Sequence, residues 1–87
     1  MRRLSGRSSR GAKVSDFDIE VGKRIRGQRK SKGLSQGELA SAVGFSQPAQ
    51  SFFENGARHV RLEELLKYAK VLGVPLTALY PNEVSDD

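Results

Sequence analysis

The chain has 87 residues, 37% of them apolar, enough for one small core and no more than one domain. It has no cysteine, which excludes a disulfide scaffold and a cysteine-built zinc site. No apolar run approaches the ~20 residues that span a bilayer, and the basic start MRRLSGRSSRGAKVS lacks the apolar segment of a secretory signal. The net charge of +5 sits in residues 1–15, where Arg2, Arg3, Arg7, Arg10 and Lys13 face no acid; residues 16–87 carry ten basic and ten acidic side chains. Residues 1–15 are also too poor in large apolar side chains to offset the entropy of ordering, which predicts a flexible basic arm ahead of a folded unit over 16–81. An acidic tail, 82–87, follows. The arm, with the cluster Lys23, Arg24, Arg26, Arg29, Lys30 and Lys32, suits a polyanion such as nucleic acid; the plainer reading is solubility.

From Asp16, Phe17, Val21 and Ile25 recur at four-residue steps on one helical face. Acids lead this first helix, cations close it, in keeping with the helix dipole, and Gly33 ends it. Ser35 opens a second helix with a capping box, Ser35-Gln36-Gly37-Glu38, and Leu39, Ala40 and Val43 form its apolar stripe up to Gly44. Ser46 caps a third helix that runs to about Asn55. Pro48 lies in its first turn, where a missing N–H costs little. After the loop ARHVR, Leu62, Leu65, Leu66, Ala69 and Leu72 mark a fourth helix ended by Gly73; Pro75 opens a short fifth helix through Leu79, and Pro81 closes the fold. Nothing alternates with period two, so the expected class is all-α. The expected core includes Leu39, Val43, Phe45, Phe53, Leu65, Leu66 and Leu72.

The third helix divides into two faces. At about 100° per residue, Gln47, Pro48, Ser51 and Phe52 share an arc of roughly 140°, while Ala49, Gln50 and Phe53 fall opposite. The first arc is the candidate reading surface. The Gln47 amide can donate to and accept from adenine N6 and N7. Ser51 can meet a base or a phosphate. Phe52 has three open readings: a thymine-methyl contact, a dimer contact, or a ring folded back on the core. Gln36, at the start of the second helix, can donate to a phosphate beside the free N–H groups there, or be simply solvated. Ser46 is a cap first and a DNA contact second. Arg58 follows Gly56 in a loop suited to phosphate contact, Lys30 belongs to a basic face that can touch phosphates, and His59 is a lone surface histidine.

Two eight-residue helices joined at Gly44-Phe45 form a helix-turn-helix over about 35–55. The run VGKRIRGQRKSKGLSQGELASAVGFSQ, then FENG and LLKYAKVLGVPLTAL, closely resembles the Cro and phage-repressor-like (Xre-type) family from Val21 to Leu79. That resemblance implies a five-helix lambda-repressor-like DNA-binding domain, a dimer, and a third helix in the major groove. It implies an ion pair between Arg29 and Glu54, and the same DNA roles for Gln36 and Gln47. Some phage repressors of this type carry N-terminal arms that embrace DNA, a role open to the five cations of the arm; the alternative is an extension with no role. Four positions depart from the family pattern. They are Gln50 for an aliphatic core residue, Phe52 for a polar reader, Pro48 for a side chain that reaches the groove, and Arg61 for a capping Ser or Gly.

The function expected is a transcriptional regulator that binds a palindromic operator on double-stranded DNA as a homodimer, acting as a repressor by occupancy, with activation through contact with polymerase left open. The dimer surface is expected around Val74, Leu76, Leu79 and Tyr80. A single 87-residue domain leaves no room for a separate ligand-binding or cleavage domain, which favours repression by occupancy over metabolite sensing. The alternative is an antitoxin-type protein that also docks a toxin. One histidine, no cysteine, no paired-carboxylate cleft and no metal-ligand spacing argue against an enzyme, a cofactor or a metal. The expected location is cytoplasmic, bacterial or phage-type and nucleoid-associated, with no membrane partner.

Overall fold

The computed structural model describes residues 15–81. The expected arm cations Arg2, Arg3, Arg7, Arg10 and Lys13, and the acidic tail, lie outside them. Four α-helices follow in order: α1 (Asp16–Ser31), α2 (Gln36–Val43), α3 (Gln47–Glu54) and α4 (Leu62–Leu72), then a single 3₁₀ turn, Leu76–Ala78. No strand occurs among the described residues. The fifth helix of the sequence reading is therefore one turn only. Pro75 and Pro81 leave five residues between them, and Pro81 has neither an N–H to continue a helix nor tolerance for an α conformation before it. The turn closes through Ala78 N–H to Pro75 O and Leu79 N–H to Leu76 O, both 2.9 Å.

Local chemistry sets the helix ends. Ser15 belongs to the fold rather than to the arm: its hydroxyl accepts from the Asp18 N–H at 3.0 Å and caps α1. Ser35 and Glu38 form the reciprocal box at α2, with distances of 3.0 and 2.8 Å. Ser46 accepts from the Ala49 N–H at 3.2 Å and caps α3. The Arg61 side chain has no acceptor to offer α4, so half a box forms there: a Glu64 carboxylate oxygen accepts from the Arg61 N–H at 2.8 Å. Gly44 and Gly73 end α2 and α4 in left-handed conformation, φ 88° and 70°.

Val21, Ile25, Leu39, Val43, Phe53, Val60, Leu65, Tyr68, Ala69, Leu72 and Leu79 form one buried cluster, with Phe45 packed at its edge. Leu66, expected in the core, is exposed. It lies about 100° around α4 from Leu65, and the inward arc is already filled by Leu65, Tyr68, Ala69 and Leu72. The tightest approach is α1 on the end of α3. A Cβ on Gly22 would sit 2.5 Å from the carbonyl oxygens of both Phe53 and Glu54, so only glycine lets the two backbones meet.

Candidate nucleic-acid interface

α3 is held from behind by a buried polar cluster. Arg29 of α1 donates to Glu54 through two guanidinium nitrogens, Nε to Oε2 at 2.7 Å and a terminal nitrogen to Oε1 at 2.9 Å. Its other terminal nitrogen donates to Leu34 O at 2.8 Å, reaching the turn before α2. Gln50 Nε2 donates to Glu54 Oε2 at 2.8 Å, and Tyr68 of α4 donates its hydroxyl to Gln50 Oε1 at 2.6 Å. Gln36 Nε2 of α2 donates to Glu54 Oε1 at 3.2 Å. One carboxylate on α3 thus gathers partners from α1, α2 and α3, and through Gln50 from α4. Each Glu54 oxygen receives two donors, which is what a buried carboxylate needs.

Burial pushes the Glu54 carboxyl up, but the hydrogen bonds from Arg29, Gln50 and Gln36 outweigh it and leave the group below its ordinary value. The hydrogen bond to Glu54 raises the Arg29 guanidinium further still. Tyr68 is pushed well up by its burial, with Glu54 and Glu64 adding negative charge nearby, so its hydroxyl remains a donor.

The opposite face of α3 is open. Gln47 and Pro48 are exposed, Ser51 is partly exposed, and Phe52 is 50% exposed while the adjacent Phe53 is 1% exposed. The Gln47 amide lies beside the first turn of α2, where a Cβ on Gly37 would meet Gln47 Oε1 in ordinary van der Waals contact at 3.5 Å. Asn55, read in the sequence only as a helix stop, lies in the same arc. It is 80° from Gln47 by helical step and exposed. Its signal was available in the 100° spacing, masked by the Asn-Gly pair it forms with Gly56.

Ser46, exposed, gives its hydroxyl to the cap. Gln36 spends one amide N–H on Glu54, so what it turns outward is the rest of its amide and the N-terminal backbone of α2. Arg58 is exposed, with its guanidinium 5.3 Å from the Phe53 ring centroid, which anchors it at the end of α3. His59 Nδ1 lies 2.6 Å from Asp18 Oδ1 and ties that loop to the start of α1. Lys30 is exposed on the last turn of α1. Of the four residues expected at a dimer surface, Leu79 is completely buried in its own core and has no area to offer. Val74 and Leu76 are partly buried, packed against the same core. Tyr80 is exposed, edge-on to Phe17 at 5.3 Å. The large aliphatics left outside are instead Leu62, Leu66 and Val71 of α4.

No helix among the described residues is long and apolar enough to cross a membrane, and they hold no group of three or more His, Cys, Asp or Glu fit for a metal.

The helix-turn-helix family model matches residues 25–79. The chain is 30% identical to an HTH-type transcriptional regulator of Sinorhizobium medicae, over 85% of this chain and 53% of that protein, so it spans about half that relative's length. It is 34% identical to the control protein C.MunI of a Mycoplasma species, over 79% of this chain and 95% of that one. The solved restriction-modification controller protein C.AhdI of Aeromonas hydrophila superposes with a TM-score of 0.68 at 35% identity, over 71% of this chain and 94% of that chain. With four capped helices, an open face on the third and a family model matched across most of them, the chain belongs to the Cro and phage-repressor-like (Xre-type) helix-turn-helix family of transcriptional regulators.

Proposed function

We propose that this chain is a sequence-specific DNA-binding regulator that places α3 in the major groove of a palindromic operator as a homodimer and represses by occupancy. The observation that carries the reading is the division of α3. Gln50, Phe53 and Glu54 are buried behind it, while Gln47, Ser51 and Asn55 turn hydrogen-bonding groups outward. A helix clamped on one side presents those groups at fixed positions, which is what reading base edges demands. Gln47 is the first candidate for adenine, and Ser51 and Asn55 flank it. Pro48 shapes the first turn. The N-terminus of α2 at Gln36, the Ser46 region, Lys30 and Arg58 address phosphates and set register. The cations Arg2, Arg3, Arg7, Arg10 and Lys13 add phosphate neutralisation from the arm. The likeness in length and sequence to C.MunI and C.AhdI supports a controller-type regulator rather than an enzyme.

For the dimer, the exposed aliphatics of α4 support a surface centred on Leu62 and Leu66, in place of one built on Leu79. Two α3 helices would then address half-sites ~34 Å apart. The same aliphatic face supports the second reading, an antitoxin-type partner site. Selection of bound duplex from a random pool, with sedimentation of the protein alone, tests both. A palindromic consensus bound by a dimer supports the first reading. A monomer that enriches no sequence overturns it, and a protein that binds its consensus but also captures a toxin-like chain through Leu62 and Leu66 favours the second.

A further inference from the structure

We infer that Phe52 reads the C5-methyl group of one pyrimidine, a thymine in unmodified DNA, in each half-site; the inference rests on the DNA-binding reading above. The chain has six aromatic side chains. Phe17, Phe45, Phe53, Tyr68 and Tyr80 each meet another ring. Among the described residues Phe52 has no ring partner and no cation over its face, and half its surface is in water. Its place on the backbone is held to the core: it precedes the buried pair Phe53 and Glu54 on a helix fixed by the Arg29, Gln50 and Tyr68 hydrogen bonds.

Phe52 stands at the edge of the arc that also holds Gln47, Ser51 and Asn55, and it comes one turn after the exposed Pro48, so an apolar strip runs along one border of a polar surface. A phenyl ring neither donates nor accepts in the plane of a base pair. On the major-groove edges the thymine methyl is the one projecting apolar group; cytosine offers only a C5–H at the same place. Of the three readings open to this ring in the sequence, the core is excluded by its exposure. A contact with a second copy would cover the same arc that faces the groove.

The experiment takes the duplex selected from the random pool and replaces its thymines with deoxyuridine one at a time, which removes a methyl and leaves the Watson–Crick and O4 groups intact. Dissociation constants are measured by anisotropy for the wild type, Phe52→Ala and Phe52→Leu. The wild type is expected to bind about fourfold more weakly when one particular thymine per half-site loses its methyl, the worth of burying a single methyl. Phe52→Ala should bind the two duplexes alike, and Phe52→Leu should keep part of the difference. Equal binding of thymine and uracil duplexes by the wild type at every position, or an undiminished difference in Phe52→Ala, overturns the inference while leaving DNA reading intact. A sedimentation coefficient that falls to the monomer value in Phe52→Ala also overturns it, in favour of a contact between copies. Failure to enrich any duplex would instead remove the DNA-binding reading on which the inference stands.

Discussion

α3 and α4 are both amphipathic, and both leave something apolar outside, but their outer faces differ in kind. α3 shows water Gln47, Ser51, Asn55 and one phenyl ring. α4 shows it Leu62 and Leu66, with Glu63, Lys67 and Lys70 around them. The inner faces differ as well. α4 is held by packing of Leu65, Tyr68, Ala69 and Leu72 with one neutral hydrogen bond, Tyr68 to Gln50, whereas α3 is held by packing of Phe53 and by a charged cluster. A surface that must present hydrogen-bonding groups at fixed positions benefits from directional bonds behind it, and burial alone is not directional. An aliphatic surface needs only shape and area. The contrast therefore separates a face suited to base edges from one suited to protein.

The strongest way to break the contrast is to remove the centre of the cluster. Glu54→Ala strands the Arg29 guanidinium, which is 8% exposed, and frees the donors of Gln36 and Gln50. The expected loss is about 3–5 kcal/mol of folding free energy, read by urea denaturation, and DNA binding should fall in proportion to the unfolded fraction. A loss under about 1 kcal/mol would mean that the ion pair does not anchor α3. The acid limb gives an independent reading. The Glu54 carboxyl is held below its ordinary value in the folded state. Its contribution is therefore present above the unfolded value of ~4.3 and is lost as pH falls through the folded one. The stability gap between wild type and Glu54→Ala should narrow below about pH 4.

Gln50 comes next. Gln50→Leu leaves the Tyr68 hydroxyl without its acceptor inside the core and removes one donor from Glu54. The expected cost is about 1–3 kcal/mol. Tyr68→Phe in the Gln50→Leu background should cost less than Tyr68→Phe alone, since the hydroxyl it removes is already unpaired. Equal costs in the two backgrounds would show that the Gln50–Tyr68 bond adds nothing.

These two residues also mark what was legible in the sequence. Caps and stops were, because a capping box spans four residues and a left-handed glycine acts at its own position: Ser35 with Glu38, Ser46, Gly44 and Gly73 needed no tertiary information. The two faces of α3 were readable from a 100° step. The Gln50 pairing was not, because its partner Tyr68 is 18 residues away on another helix, and only contact decides that a glutamine can be buried there. Leu66 was misread for the same reason. A stripe of leucines does not say which of two neighbours faces inward when a tyrosine takes the inner place. Leu79 looked available as a chain-end apolar residue, yet the 3₁₀ turn folds it into the core. Gln36 looked wholly free, yet the Glu54 carboxylate had already claimed one of its protons.

On the outer face of α3, Gln47→Ala should leave the urea midpoint unchanged, since the side chain is exposed. It should weaken binding to the selected duplex by about 1–3 kcal/mol and flatten the preference at one base pair per half-site. A uniform loss across all sequences would assign Gln47 to the backbone instead.

The outer face of α4 should also tolerate change with little effect on the fold. Leu62 is 55% and Leu66 50% exposed, so Leu62→Ser with Leu66→Ser should change folding stability in the monomer by no more than about 0.5 kcal/mol each. What should change is assembly. If this face joins two copies, the double variant sediments as a monomer and binds a single half-site with its base preference intact, because nothing behind α3 has been touched. A double variant that remains a dimer would move the subunit contact elsewhere, with Tyr80 and the neighbouring Phe17 ring as the next exposed apolar surface to change. A double variant that loses base preference as well as dimerisation would mean that the two outer faces are not independent, and that α4 helps hold α3 by more than the Tyr68 hydroxyl.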